Sequence, residues 1–83
     1  MFHKVQSVGV LPDFVLDVRF VGGEAKRYDM KPLFAAWPMF GGLRDSPERF
    51  AEAVVGPGGY GVEWGDEWDV SADELFANGV AAD

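Results

Sequence analysis

The sequence predicts a small α+β domain in which an antiparallel sheet of about five strands, arranged in hairpins, packs with two short helices. Residues 14–21 alternate apolar and polar side chains and run into Gly22-Gly23, a pattern typical of a strand that enters a hairpin turn. Residues 60–70 show the same alternation around a second turn at Gly65-Asp66. Two serines each precede a segment with helix-starting chemistry. Hairpins followed by short capped helices favour the α+β class.

Length and composition indicate a single domain over residues 1–83. A chain of this size buries only about 60% of the surface that its unfolded form exposes, so its stability margin is thin. The sequence has no cysteine, which excludes disulfides and thiolate metal sites and fits a reducing cytosol. Its apolar runs fall far short of the roughly 20 residues that span a bilayer. The N-terminus lacks a signal-peptide layout, so we expect a cytoplasmic protein without membrane association.

The first half of the chain predicts three strands. A first strand covers His3–Val10, and a turn at residues 11–13 leads into the strand of residues 14–21. After Gly22-Gly23 the partner strand returns over residues 24–30. One face of the middle strand is fully apolar, and we expect it to be buried: Phe14, Leu16, Val18 and Phe20.

The register of this hairpin has two alternatives. A strict two-residue turn sets Leu16 opposite Asp29, whereas one bulged residue sets Leu16 opposite Met30. Apolar contact favours the second, because a one-residue slip moves a whole strand's side chains to the other face. Both alternatives set Arg19 opposite another base, so charge does not discriminate between them.

The middle of the chain predicts helices and an irregular segment. Residues 33–37 form about one helical turn that Pro38 closes, and residues 39–43 form a packed loop under the sheet. Ser46 is the expected N-cap of the next helix, because a proline follows at the first helical position, where its missing N–H costs nothing. This helix is expected to run to about Val54 with three side chains turned inward: Phe50, Ala53 and Val54.

The closing stretch predicts a hairpin followed by a capped helix. Ser71 caps the helix, and Glu74 three residues later completes a capping box. Asn78-Gly79 ends the helix, and residues 81–83 are expected to form a frayed tail. Trp64 and Trp68 are expected in the core, which their size favours. Trp37, between an alanine and a proline in the irregular segment, is the exception and is expected to be a partly exposed contact residue.

Charge is distributed unevenly along the chain. Residues 1–49 hold all seven bases and six acids, whereas residues 50–83 hold eight acids and no base. The net charge of −7 disfavours direct binding to nucleic acid, which depends on clustered lysines and arginines. The acidic half can serve solubility alone, or it can form a docking face for a basic partner protein.

The residue types that carry catalysis are sparse. His3 is the only histidine, and no cysteine or compact Ser-Asp arrangement lies near it in sequence. Ser46 and Ser71 are explained as helix caps. The acids between Glu63 and Glu74 do not match a calcium loop, because a tryptophan and a valine occupy ligand positions. No glycine-rich segment matches a phosphate-binding loop, so we expect no catalytic, cofactor or metal residue.

Several short motifs follow one another over nearly the whole chain: His3-x-Val5, Leu16-x-Val18-x-Phe20-x-Gly22-Gly23, Asp29, Phe40, Leu43-x-Asp45, Phe50, Gly61-Val62-x-Trp64 and Asp69-Val70-Ser71-x-Asp73-x-Leu75. In this order and spacing they resemble a bacterial domain-of-unknown-function family, number 2442. The chain departs from the family pattern at Gly65-Asp66-Glu67. The resemblance implies a small α+β fold with an antiparallel sheet. It also implies fusions to helix-turn-helix domains in some relatives, and toxin–antitoxin-like gene pairs in others.

Two functions follow from these observations. The first is a non-enzymatic protein-interaction module that binds a partner protein, for which the acidic half favours a basic one, or that pairs with itself as a homodimer. The resemblance suggests that it is the accessory or antitoxin-like member of a gene pair. The residues expected to contact the partner are Trp37, Glu63, Asp66, Glu67 and Asp69. The alternative is a small hydrolase or ligand-binding protein that uses His3 with an acidic residue.

Overall fold

A computed structural model of the chain describes residues 3–82. Within these residues seven strands form two antiparallel sheets, and four short helices connect or cover them. The α+β class is therefore confirmed, with more and shorter elements than expected. The strands are β1 (Val5–Leu11), β2 (Val15–Phe20), β3 (Ala25–Asp29), β4 (Val54–Val55), β5 (Gly61–Trp64), β6 (Trp68–Ser71) and β7 (Val80–Ala81). The helices are α1 (Lys31–Ala36), α2 (Gly41–Arg44), α3 (Pro47–Phe50) and α4 (Ala72–Asn78), with 3₁₀ turns at Pro38–Phe40 and Pro57–Gly59.

The larger sheet has the strand order β1-β2-β3-β7, and the smaller sheet has the order β4-β5-β6. The core lies between the sheets and the helices, and its members are hydrophobic: Val5, Leu16, Val18, Phe20, Tyr28, Met30, Phe34, Phe40, Leu43, Phe50, Val62, Trp64, Val70, Ala72 and Leu75. None of the helices in the described residues is long and apolar enough to cross a membrane.

The β2–β3 hairpin has neither of the two expected registers. Leu16 lies opposite Tyr28 and Arg19 opposite Ala25, because the connection consists of residues 21–23 and Val21 therefore belongs to the connection rather than to β2. The N–H of Phe20 donates to the carbonyl of Glu24 at 2.9 Å, which closes the hairpin one residue earlier on β2 than expected. Gly22 and Gly23, with φ angles of 115° and 103°, supply the left-handed backbone that this connection needs. The observed register places the side chains of Leu16 and Tyr28 together on the buried face.

Three expectations for the middle and end of the chain were wrong. The α3 helix ends at Phe50 instead of Val54, because Val54 pairs with Glu63 in strand β4 and is 52% exposed. The expected loop of residues 39–43 is a 3₁₀ turn followed by α2. Of the expected frayed tail, Ala81 lies in β7 on the edge of the larger sheet and the N–H of Ala82 donates to the carbonyl of Ala25, whereas Asp83 lies outside the described residues.

Both serine caps are confirmed. The hydroxyl of Ser46 accepts the N–H of Arg49 at 3.2 Å, and that of Ser71 accepts the N–H of Glu74 at 3.1 Å. The second half of the Ser71 capping box is not formed, since the Glu74 carboxylate accepts a hydrogen bond from Tyr28 instead. The α4 helix ends at Asn78 as predicted.

Candidate functional site

An apolar groove runs between the segment after α1 and the strand β6. We call it the β6 groove; its volume is about 380 Å³, and it is lined by Leu33, Trp37, Met39, Phe40, Asp69, Val70, Ser71 and Glu74. Pro38 disfavours helical backbone at the residue before it, so α1 ends and Trp37 takes an extended conformation. Trp37 is 55% exposed and Met39 is 63% exposed. The groove therefore presents large hydrophobic side chains to solvent.

The outer wall of the groove is fixed to β6 through Trp68. The indole N–H of Trp68 donates to the carbonyl of Met39 at 2.6 Å. The guanidinium of Arg49 lies 5.1 Å from the centre of a Trp68 ring and forms an ion pair with Glu67. These contacts hold the Met39 segment beside β6, so the exposed side chains of Trp37 and Met39 project from a segment whose position relative to β6 is fixed.

The outer edge of β6 has no strand beside it within the described residues. The N–H of Ala72 donates to the carbonyl of Tyr60, which marks this pair as hydrogen-bonded. Hydrogen-bonded and non-hydrogen-bonded pairs alternate along an antiparallel ladder. Val70 therefore bonds to β5, whereas the N–H and C=O of Asp69 and the N–H of Ser71 point away from it. None of these three groups makes another hydrogen bond within residues 3–82.

Two carboxylates lie side by side on the solvent face of the smaller sheet. Glu63 and Asp69 are direct cross-strand neighbours in a non-hydrogen-bonded pair, the arrangement in which side chains approach most closely. Like charges in this position are destabilising. Neither carboxylate forms an ion pair with any residue between 3 and 82. The pair therefore favours a positively charged group nearby.

A second depression of about 530 Å³ adjoins the β6 groove, with which it shares Leu33 and Glu74. In its wall the hydroxyl of Tyr28 donates to a carboxylate oxygen of Glu74 at 2.8 Å. Burial, together with this hydrogen bond and the negative charge of Glu74, raises the pKa of the Tyr28 phenol well above its ordinary value. The phenol therefore stays protonated as a hydrogen-bond donor and links β3 to α4.

His3 lies away from both depressions. Its ring stacks on Phe76 at 3.7 Å between centroids and 8° between planes. Its backbone N–H donates to Asp73 at 3.3 Å, but its imidazole makes no hydrogen bond or ion pair in the part of the chain described here. The imidazole is therefore positioned by stacking on Phe76 rather than by a hydrogen bond to a carboxylate of the described residues. Residues 3–82 also contain no cluster of three or more His, Asp or Glu side chains that could hold a metal ion.

The residues predicted to contact a partner fall in three places. Trp37 and Asp69 line the β6 groove, and Glu63 adjoins Asp69 on the solvent face of the sheet. Asp66 is exposed in the β5–β6 turn, and Glu67 is paired with Arg49, whose guanidinium lies against the Trp68 ring.

Sequence reasoning missed the other six residues that line the groove: Leu33, Met39, Phe40, Val70, Ser71 and Glu74. Met39 directly follows Pro38, and this position in a segment interrupted by prolines is the only signal that pointed to its exposure. Leu33 and Glu74 belong to α1 and α4, and their distance in sequence gave no sign that they share a groove.

The fold and the groove define a small two-sheet α+β protein with an exposed apolar groove beside an unpaired strand edge. The model of one family matches residues 5–81, nearly the whole chain, and its description is "Protein of unknown function (DUF2442)". The chain therefore belongs to this family, as the motif order suggested. Neither the curated proteins nor the solved structures contain a match to this chain.

Proposed function

We propose that this protein is a non-enzymatic protein-interaction module and that the β6 groove is its partner-binding surface. The observation that carries the proposal is the pair of exposed side chains, Trp37 and Met39, held beside an unpaired strand edge. Aromatic residues and methionine are enriched in protein interfaces, and tryptophan is prominent among residues that contribute most binding energy. A groove flanked by carboxylates suits a partner with complementary positive charge.

The finer proposal concerns the partner. We propose that it is a small basic protein encoded beside this chain, so that the chain acts as the accessory or antitoxin-like member of a gene pair. The chain's net charge of −7 and the concentration of its acids in residues 50–83 support a basic partner. The gene-pair arrangement rests on the family resemblance alone.

The test is co-expression of this chain with the products of its neighbouring genes, followed by affinity capture. We expect capture of a basic product and at least roughly tenfold weaker binding for Trp37→Ala. Tyr60→Ala is the matched control, because Tyr60 is also an exposed aromatic residue (58%) but lies outside the β6 groove. Equal loss in both variants, or capture of no neighbouring product, would refute the proposal.

Self-association is measured in the same preparation by light scattering coupled to size-exclusion chromatography. A dimer that Trp37→Ala dissociates would assign the β6 groove to a second copy of the chain rather than to a basic partner. A monomer at all concentrations agrees with the proposal as stated.

A further inference from the structure

We infer that the partner inserts an extended segment of alternating basic and apolar residues into the β6 groove as a fourth strand of the smaller sheet. This inference rests on the proposed function, because it names the binding mode and the partner chemistry for the same groove. In this binding mode, main-chain hydrogen bonds to β6 add to the contacts made by the exposed side chains.

In the described part of the chain, the outer edge of β6 has free hydrogen-bonding groups to which another strand can pair. The N–H and C=O of Asp69 and the N–H of Ser71 point outward and lack partners within residues 3–82. Asp69 and Ser71 are two positions apart in the sequence, which is the repeat of an antiparallel ladder. An extended peptide that adds to a sheet edge satisfies such groups and obtains its affinity from main-chain hydrogen bonds. Unpaired edges that remain open are prone to indiscriminate pairing, and exposed charge on an edge strand limits this pairing.

The side chains on either side of the edge specify the composition of the segment. Successive side chains of an added strand point to opposite faces of the sheet. On the inner face they meet Leu33, Trp37 and Met39, which favours apolar residues. On the solvent face they meet Asp69 and its neighbour Glu63, which favours lysine or arginine directly opposite Asp69.

A second copy of this chain does not satisfy these requirements. Antiparallel pairing of two β6 edges would bring Asp69 and Glu63 of one copy close to the same carboxylates of the other. These side chains already form a like-charged pair, and each chain carries a net charge of −7. Charge complementarity therefore selects a basic segment from a different protein.

The test uses the full-length ¹⁵N-labelled protein and two synthetic octapeptides, one of alternating arginine and valine and the other of alternating glutamate and valine. We expect the basic peptide to slow amide hydrogen exchange at Asp69 and Ser71. The amide of Val70 bonds to β5 in the free protein and should be protected with and without peptide. The acidic peptide should leave all three amides unchanged.

Two substitutions at position 69 distinguish the contribution of the Asp69 carboxylate to peptide binding from that of its backbone N–H. Asp69→Ala removes the charge and should weaken binding of the basic peptide by roughly twofold to fivefold. Asp69→Pro also removes the outward N–H and should weaken it by a further factor of roughly two to ten. An edge strand tolerates proline where the N–H faces outward, so unchanged β5 amide shifts verify that the sheet is intact. If Asp69→Pro does not fold, the exchange pattern of the unmodified protein still decides the outcome.

Each outcome is decisive. If the basic peptide binds without protecting Asp69 and Ser71, or the acidic peptide binds equally well, strand addition by a basic segment is wrong. If neither peptide binds while Trp37-dependent capture of a neighbouring product persists, this inference fails and the proposed function stands. If capture does not depend on Trp37 either, both fail. Protection of Asp69 and Ser71 that arises without peptide and vanishes on dilution would assign the edge to a second copy.

Discussion

The substitution Trp64→Phe tests whether the closing hairpin is held by the indole of Trp64. This side chain is 1% exposed and stacks on Phe50 with 5.6 Å between ring centroids. Its N–H donates to the carbonyl of Phe50 at 2.8 Å. Without that donor the carbonyl keeps only a longer bond from the N–H of Ala53, at 3.3 Å. Loss of the hydrogen bond costs about 1 kcal/mol, and loss of buried ring surface costs about 1–2 kcal/mol more.

The expected loss in the free energy of unfolding is therefore about 2–3 kcal/mol, from a total of about 4–12 kcal/mol for a chain of this length. It corresponds to a fall in Tm of roughly 10–20 °C. Guanidinium unfolding followed by circular dichroism measures it without relying on tryptophan emission. Trp37→Phe is the matched control and should change stability by less than about 0.5 kcal/mol, since Trp37 is largely exposed. Equal effects of the two substitutions would show that burial does not distinguish these indoles.

Three further outcomes are expected. Tyr28→Phe removes the donor to Glu74 and should reduce stability by about 1 kcal/mol in urea unfolding. The pKa of Tyr28 is raised in the folded state, so the stabilisation it contributes is complete below the unfolded pKa of about 10 and is lost as the pH rises above that value. The free energy of unfolding of Tyr28→Phe should therefore fall less at alkaline pH than that of the unmodified protein. Gly42→Ala places a Cβ 2.6 Å from the Trp68 ring and should cost about 1–3 kcal/mol by thermal unfolding. The adjacent Gly41→Ala, whose nearest contact is 3.5 Å, should be close to neutral, and an equal loss there would contradict this assignment.

Local chemistry accounts for what could be predicted from the sequence. The cap at Ser71 needs only a hydroxyl and an N–H three residues later, so the local sequence suffices to predict it. The buried face of β2 follows from the alternation of Leu16, Val18 and Phe20, which are all nearly inaccessible to solvent. Both features depend on residues within a few positions of one another.

Features that depend on distant partners could not be predicted. Strand β4 has only two residues, too few for a periodic signal, and Val54 is extended because β5 is available to pair with it. The β2–β3 register depends on whether Val21 belongs to the strand or to the connection, which the turn residues alone do not decide. Glu74 illustrates the same limit at the candidate site. Its carboxylate was expected to complete a local capping box, but it meets Tyr28, which lies 46 positions earlier in the chain.

The exposure of Trp37 is the clearest argument that the β6 groove has a function. A chain with a thin stability margin benefits from burying its largest side chains, and Trp64 is buried almost completely. Trp37 is instead directed to solvent by Pro38, where it contributes little to folding. Exposed apolar patches rimmed by polar residues mark interaction sites or aggregation liabilities. Carboxylates at the groove and an overall charge of −7 oppose self-aggregation, which supports the proposed binding of a different, basic molecule at this surface.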